Sequence, residues 1–239
     1  MLGVNLMALA NNITAVRAKI SEALAIAGRH PEELTLVAVT KYVDAPAVKA
    51  LIAHGVGHIG ESRLQEAARK QAVLGDLKNS FKWHFIGSLQ TNKARQVAAG
   101  FDLIHSLDRM SLAEALHKAG RNLNKEIPVL IQVNVSGERT KHGIAPGEVG
   151  AFYAEVRKLA GLRPVGLMTM APYSEDPETS RPVFRELRLL FEQIKQEYNP
   201  GPQWRELSMG MSNDYGVAIE EGATIVRIGS AIFGAGTEG

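Results

Sequence analysis

One amine and two turns rich in glycine and serine are where this chain could do covalent chemistry. Lys41 closes the run Leu34-Thr35-Leu36-Val37-Ala38-Val39-Thr40. A lysine amine that loses its proton at the end of an apolar strand can condense with a carbonyl to an imine. Lysines also end strands simply by facing water, so Lys41 alone leaves both readings open. Two later stretches favour the chemical one. Glu206-Leu207-Ser208-Met209-Gly210-Met211-Ser212-Asn213-Asp214 sets small and helix-capping residues where backbone N–H groups are free for an anion. Val226-Arg227-Ile228-Gly229-Ser230 ends on a glycine beside a hydroxyl, which permits close backbone approach, and carries a permanent cation between two apolar neighbours.

Elements must carry these groups, and the chain alternates them regularly. Apolar positions at helical spacing (Leu6, Leu9, Ile13, Val16, Ile20, Leu24) predict a first helix that stops at Gly28-Arg29-His30-Pro31. After the strand that ends at Lys41, Asp44 is an N-cap candidate with Pro46 in the first turn, and Gly55 is the stop. Further strands are predicted at 58–61, 82–87, 103–106, 128–135, 164–169, 206–210 and 224–229, with helical patterns between them. That is about eight strand-and-helix pairs without a linker, the pattern of a (β/α)8 barrel. The expectation is α/β: one TIM-barrel domain over residues 1–239, with residues 1–30 as an extra N-terminal helix packed on it. A doubly wound open sheet would use the same alternation.

In a barrel the functional residues gather where strands end. The residues closing the predicted strands include Lys41, Glu61 with Ser62, Gly87, Ser106, Asn134, Met168 with Thr169, Ser208, and Arg227 with Gly229 and Ser230. They are mostly polar or glycine, whereas the strand interiors are Val, Leu and Ile. Barrels frequently hold a phosphate in the loops after strands seven and eight. A lysine on the first strand beside such a cradle suggests pyridoxal 5'-phosphate, whose aldehyde needs an amine and whose phosphate needs an anion site.

Composition narrows the classes further. The 239 residues carry a net charge of +2 with 22% charged residues, so no strongly basic footprint for nucleic acid or a membrane surface is expected. Cysteine is absent, which removes disulfides, thiolate nucleophiles and sulfur-ligated metals, and fits a cytoplasmic protein. The apolar start Met1-Leu2-Gly3-Val4 lacks a basic region ahead of it, so no leader is expected. Gly55-Val56-Gly57-His58-Ile59-Gly60 matches a dinucleotide fingerprint, but a strand follows it where the mechanism needs a helix. No metal site is expected from His54 and His58, and His84 and His105 read as hydrogen-bonded strand residues.

The motifs Val37-Ala38-Val39-Thr40-Lys41, Gly60-Glu61-Ser62-Arg63, His84-Phe85-Ile86-Gly87-Ser88-Leu89-Gln90-Thr91-Asn92-Lys93, Gly166-Leu167-Met168-Thr169-Met170, Ser208-Met209-Gly210-Met211-Ser212 and Val226-Arg227-Ile228-Gly229 follow one another along nearly the whole chain. In this order they resemble the pyridoxal phosphate homeostasis proteins (YggS-like, or proline synthase co-transcribed homologues), whose barrel is similar to the N-terminal domain of alanine racemase. The resemblance implies that Lys41 carries the cofactor as a Schiff base. It implies that Ser208, Gly229 and Ser230 hold the phosphate and that Arg227 faces the pyridine nitrogen, with Met168 and Ser62 as further cofactor-binding positions. The family usually has asparagine where this chain has Ser62. Serine is shorter and lacks the amide, so a contact from there is lost or bridged by water.

A cation at the ring nitrogen opposes its protonation and makes the ring a weak electron sink. Alanine racemases also complete their site with a tyrosine from another subunit and a C-terminal β domain, which is not expected here after the last strand. The resemblance therefore implies a monomeric protein that carries or buffers the cofactor, maintains vitamin B6 and amino-acid homeostasis, and passes the cofactor to apo pyridoxal phosphate enzymes. The alternatives are an amino-acid racemase or decarboxylase of the same type, with Tyr42, Tyr173 or Tyr215 as a second acid or base, and a cofactor-free aldolase using Lys41.

Overall fold

Apolar strands need cover on both faces, and here eight parallel strands obtain it by closing into a barrel inside a ring of helices. The computed structural model describes residues 6–77, 79–138 and 140–234; the start of the chain, on which the reading of a leader fell, lies outside them. The strands are β1 (Thr35–Val39), β2 (His58–Glu61), β3 (Lys82–Phe85), β4 (Leu103–Leu107), β5 (Ile127–Gln132), β6 (Leu162–Met168), β7 (Glu206–Ser208) and β8 (Ile225–Ile228). They pair in chain order, and β8 closes on β1 with Val37 opposite Arg227 and Ala38 opposite Ile228. This is the expected (β/α)8 barrel and excludes the open sheet.

The helices are α1 (Leu6–Ile26), α2 (Ala45–Ala53), α3 (Leu64–Val73), α4 (Ala94–Gly100), α5 (Met110–Asn122), α6 (Val149–Val156), α7 (Arg181–Tyr198), α8 (Tyr215–Glu220) and α9 (Ser230–Phe233). Leu9, Ile13, Val16, Ile20 and Leu24 form the buried stripe of α1, which packs against α8 and α9. It stands beside a last helix of only four residues. Gly28, at φ 64°, ends the helix in the left-handed conformation that glycine adopts without strain. Arg29 then turns its guanidinium onto the end of α8, donating through Nη1 to the Ile219 and Ala223 carbonyls at 3.0 and 2.8 Å.

Strand alternation sorts the side chains into two cores. Outward residues such as Ala38, Ile59, Trp83, Phe85, Val226 and Ile228 pack under the helices in one continuous apolar layer. Inside the barrel, Val37, Leu103, Leu130, Val165, Met168 and Ile225 form a smaller cluster. The interior is also polar: His84, His105, Ser208 and Arg227 are all buried. TIM barrels usually fill this space with branched apolar side chains.

Candidate functional site

At the C-terminal mouth of the barrel, Lys41, Arg227, Gly229 and Ser230 line one cavity of about 240 Å³, with Tyr173 and Ser212 also on its walls. This lies below the ~300–1,000 Å³ of drug-sized pockets and suits a ligand built on a single ring.

The segment before Lys41 is held firmly. Thr40 is fully buried; its backbone N–H donates to the Gly60 carbonyl at 2.9 Å and its hydroxyl to Glu61 Oε1 at 2.7 Å. Lys70, reaching in from α3, donates to both the Thr40 carbonyl and Glu61 Oε1. Half-buried Lys41 leaves this clamp in the turn after β1, its Nζ 5.0 Å from the centre of the Tyr42 ring.

Arg227 sits at the floor. Its Nη1 donates to Ser208 Oγ at 2.5 Å and its Nη2 to the Thr169 carbonyl at 2.9 Å, so both terminal nitrogens meet neutral acceptors. Burial lowers its pKa to about 10, with the Asp214 carboxylate opposing the shift, and the guanidinium is charged at neutral pH. Gly210, at φ 91°, turns the chain after β7, and a Cβ there would lie 2.6 Å from that of Ala218. The turn brings Ser212 over β8, where its Oγ accepts from the N–H groups of Gly229 and Ala231 at 3.2 and 3.3 Å.

Three of the expected cofactor residues, Ser62, Met168 and Ser208, do not line this cavity. Ser62 lines a separate, wider groove of about 940 Å³ with residues of α3 and α4, because the chain leaves the barrel mouth directly after Glu61 to enter α3. Met168 packs inside the barrel near Leu130 and Val165. Ser208 is fully buried beneath Arg227, with His105 Nδ1 2.9 Å from its Oγ. From the same motif it is Ser212 that shares the cavity with Gly229 and Ser230. Its signal in the sequence is its place two residues after Gly210, where the chain has already turned.

Ser208 also begins a line of imidazoles. His105 Nε2 is 2.9 Å from His84 Nδ1, and His84 Nε2 is 2.8 Å from His58 Nδ1. Burial, reinforced by His58, lowers His84 to about 3, and burial with His84 and Arg227 nearby holds His105 well below the ordinary imidazole range. Among the described residues, no group of three or more His, Asp or Glu could hold a metal ion. No helix of the described residues is long and apolar enough to cross a membrane.

The family described as "Alanine racemase, N-terminal domain" matches residues 4–237. The pyridoxal phosphate homeostasis protein of Aquifex aeolicus (strain VF5) is 42% identical over 222 residues, covering 93% of this chain and 96% of that protein. The protein of the same name from Escherichia coli (strain K12) is 42% identical over 229 residues, 95% of this chain and 96% of its own. Among solved structures, PipY of Synechococcus elongatus PCC7942 with PLP bound superposes with a TM-score of 0.81 at 34% identity, covering 95% of this chain and 100% of that one. An alanine racemase of Clostridium difficile 630 shares the fold, with a TM-score of 0.75 at 14% identity, and this chain covers 60% of it. By sequence along nearly its whole length, the chain belongs to the alanine racemase N-terminal domain family and, within it, to the pyridoxal phosphate homeostasis proteins.

Proposed function

We propose that this protein binds pyridoxal 5'-phosphate as a Schiff base on Lys41 and carries or buffers it, so sustaining vitamin B6 and amino-acid homeostasis. The observation that carries this is the convergence of Lys41, Arg227 and the Ser212–Gly229 turn on one cavity of single-ring size. The donor set fits the group: an amine for the aldehyde, the Ser212 and Ser230 hydroxyls beside the Gly229 backbone for the phosphate, and a cation for the ring nitrogen. The names of the relatives and the PLP in PipY support the same ligand.

Lys41 Nζ is the amine that would hold the cofactor's aldehyde, in a linkage that water can reverse. Gly229, Ser230 and Ser212 would hold its phosphate. Ser208 acts through Arg227, and Met168 packs the barrel beneath the cavity. Ser62, in its separate groove, has no direct part. The charged Arg227 opposes protonation of the ring nitrogen, so the bound cofactor stabilises carbanions poorly. Retention and release are therefore its uses, the receivers being apo forms of pyridoxal phosphate enzymes and the carrier a cytoplasmic monomer.

Turnover is the second reading, favoured by one feature. Tyr173 stands on the wall of the Lys41 cavity and is 80% exposed, so a phenol is near enough to serve as an acid or base. Solvent deuterium incorporation at Cα across a panel of amino acids separates the two. A carrier gives incorporation at trace rates, whereas sustained exchange at ordinary enzyme rates would mean a racemase. The carrier itself is tested by mixing the loaded protein with an apo-enzyme acceptor. Acceptor activity should rise as visible absorbance leaves the carrier, and a cofactor that never transfers contradicts delivery.

A further inference from the structure

Below Arg227 the barrel interior holds a polar column that binding a phosphate ester does not require. It runs from Ser208 through His105 and His84 to His58, at spacings of 2.9, 2.9 and 2.8 Å. His58, half-buried, reaches the opposite mouth of the barrel, where Asp102, Glu206 and Lys82 bear on it.

Hydrogen-bond accounting gives this column a single direction. A guanidinium can only donate, and Arg227 donates to Ser208 Oγ. Among the described residues, the serine proton then has one hydrogen-bonded neighbour able to accept it, His105 Nδ1. A neutral imidazole that accepts at Nδ1 carries its proton on Nε2, which His105 donates to His84 Nδ1. His84 donates in turn from Nε2 to His58 Nδ1, leaving the N–H of His58 at the far mouth. Burial keeps the inner two rings neutral, His84 being lowered to about 3 and His105 also well below the ordinary range. Every ring therefore turns its lone pair toward Arg227.

A buried cation is costly without a partner. Arg227 has a hydroxyl and a carbonyl at its terminal nitrogens, and Asp214 acts on it electrostatically. We propose that His105, His84 and His58 are positioning residues whose aligned dipoles serve as a neutral counterpart to Arg227. They fix the guanidinium and keep it charged without placing a carboxylate against it. A contacting carboxylate would offset the charge that the ring nitrogen meets. The purpose rests on the cofactor reading above; the direction of the column does not.

The test uses the full chain with no cofactor added, so its outcome is independent of whether pyridoxal phosphate binds. Long-range nitrogen–proton correlation spectra near neutral pH should find His58, His84 and His105 neutral with the proton on Nε2. His84 or His105 protonated on Nδ1, or present as imidazolium, overturns the proposal. His105→Phe should speed solvent exchange of the Arg227 guanidinium protons by about tenfold or more, because Ser208 loses its acceptor. His105→Gln accepts through Oε1 and donates through Nε2, and should return exchange to within about threefold of the unaltered chain. Exchange unchanged in both variants also overturns it. Should the phenylalanine variant fail to fold, the glutamine variant and the tautomers of the unaltered chain still decide.

Discussion

On the proposed site, Gly229 would separate folding from binding at a single residue. Its φ of −119° lies outside the left-handed region that favours glycine, and a Cβ there would meet Val39 Cβ at 3.4 Å, an ordinary contact. The protein alone therefore does not need glycine here, whereas a phosphate held on that backbone, as proposed, would. Gly229→Ala should change stability by no more than about 0.5 kcal/mol while weakening pyridoxal phosphate binding by about tenfold or more. Thermal melts and absorbance titrations on the same preparation check both halves. A large drop in melting temperature with unchanged affinity would make Gly229 a structural residue. Ser212→Ala should act in the same direction, since the hydroxyl that accepts from the Gly229 and Ala231 N–H groups keeps its own proton to donate to a phosphate.

Between elements, the Glu61–Lys70 pair joins β2 to α3 and grips the end of β1 through Thr40. Both partners are buried, and breaking a buried pair from one side leaves the other charge without compensation. Lys70→Met should cost about 3–5 kcal/mol in denaturant unfolding, and adding Glu61→Gln should recover a good part of it. A loss below about 1 kcal/mol for the single variant would mean that the clamp contributes little. A smaller effect belongs to α8: Arg29→Ala removes two hydrogen bonds at its end and should cost about 1 kcal/mol. The elements themselves were legible in the chain, because apolar runs such as Leu36-Val37-Ala38-Val39 and helix stops such as Gly28 act locally. Sites that depend on which way an element leaves the barrel were not. Ser62 and Lys41 both follow a strand, yet only Lys41 stays at the cavity, since β2 runs straight into α3. His84 and His105 read correctly as hydrogen-bonded strand residues, but nothing local says that they bond each other. Their contact is made by two inward positions on adjacent strands of a closed barrel.

At the scale of the whole molecule, the interior histidines make stability depend on pH. Burial lowers the pKa of His58, His84 and His105 in the folded state, with His84 at about 3. Below the ordinary imidazole value of about 6.5, the unfolded chain then binds more protons than the folded one, so stability rises with pH through that window. Their contribution is complete above about pH 6.5 and falls as pH drops toward the folded values, by about 1.4 kcal/mol per unit for each fully buried ring. Unfolding curves between about pH 6.5 and 4.5 should therefore steepen with acid by roughly two protons, from His84 and His105. His84→Gln should remove about one of the two. Flat stability across this window would mean that the column is not held neutral. The same barrel that buries these rings opens at its other end on Lys41, the amine proposed to hold the cofactor. Borohydride reduction of the protein mixed with pyridoxal phosphate, followed by peptide mass analysis, tests that role most directly. A pyridoxyl group on Lys41, absent from Lys41→Ala along with the visible absorbance, is the predicted result; a modified lysine elsewhere, or full binding by Lys41→Ala, would contradict it.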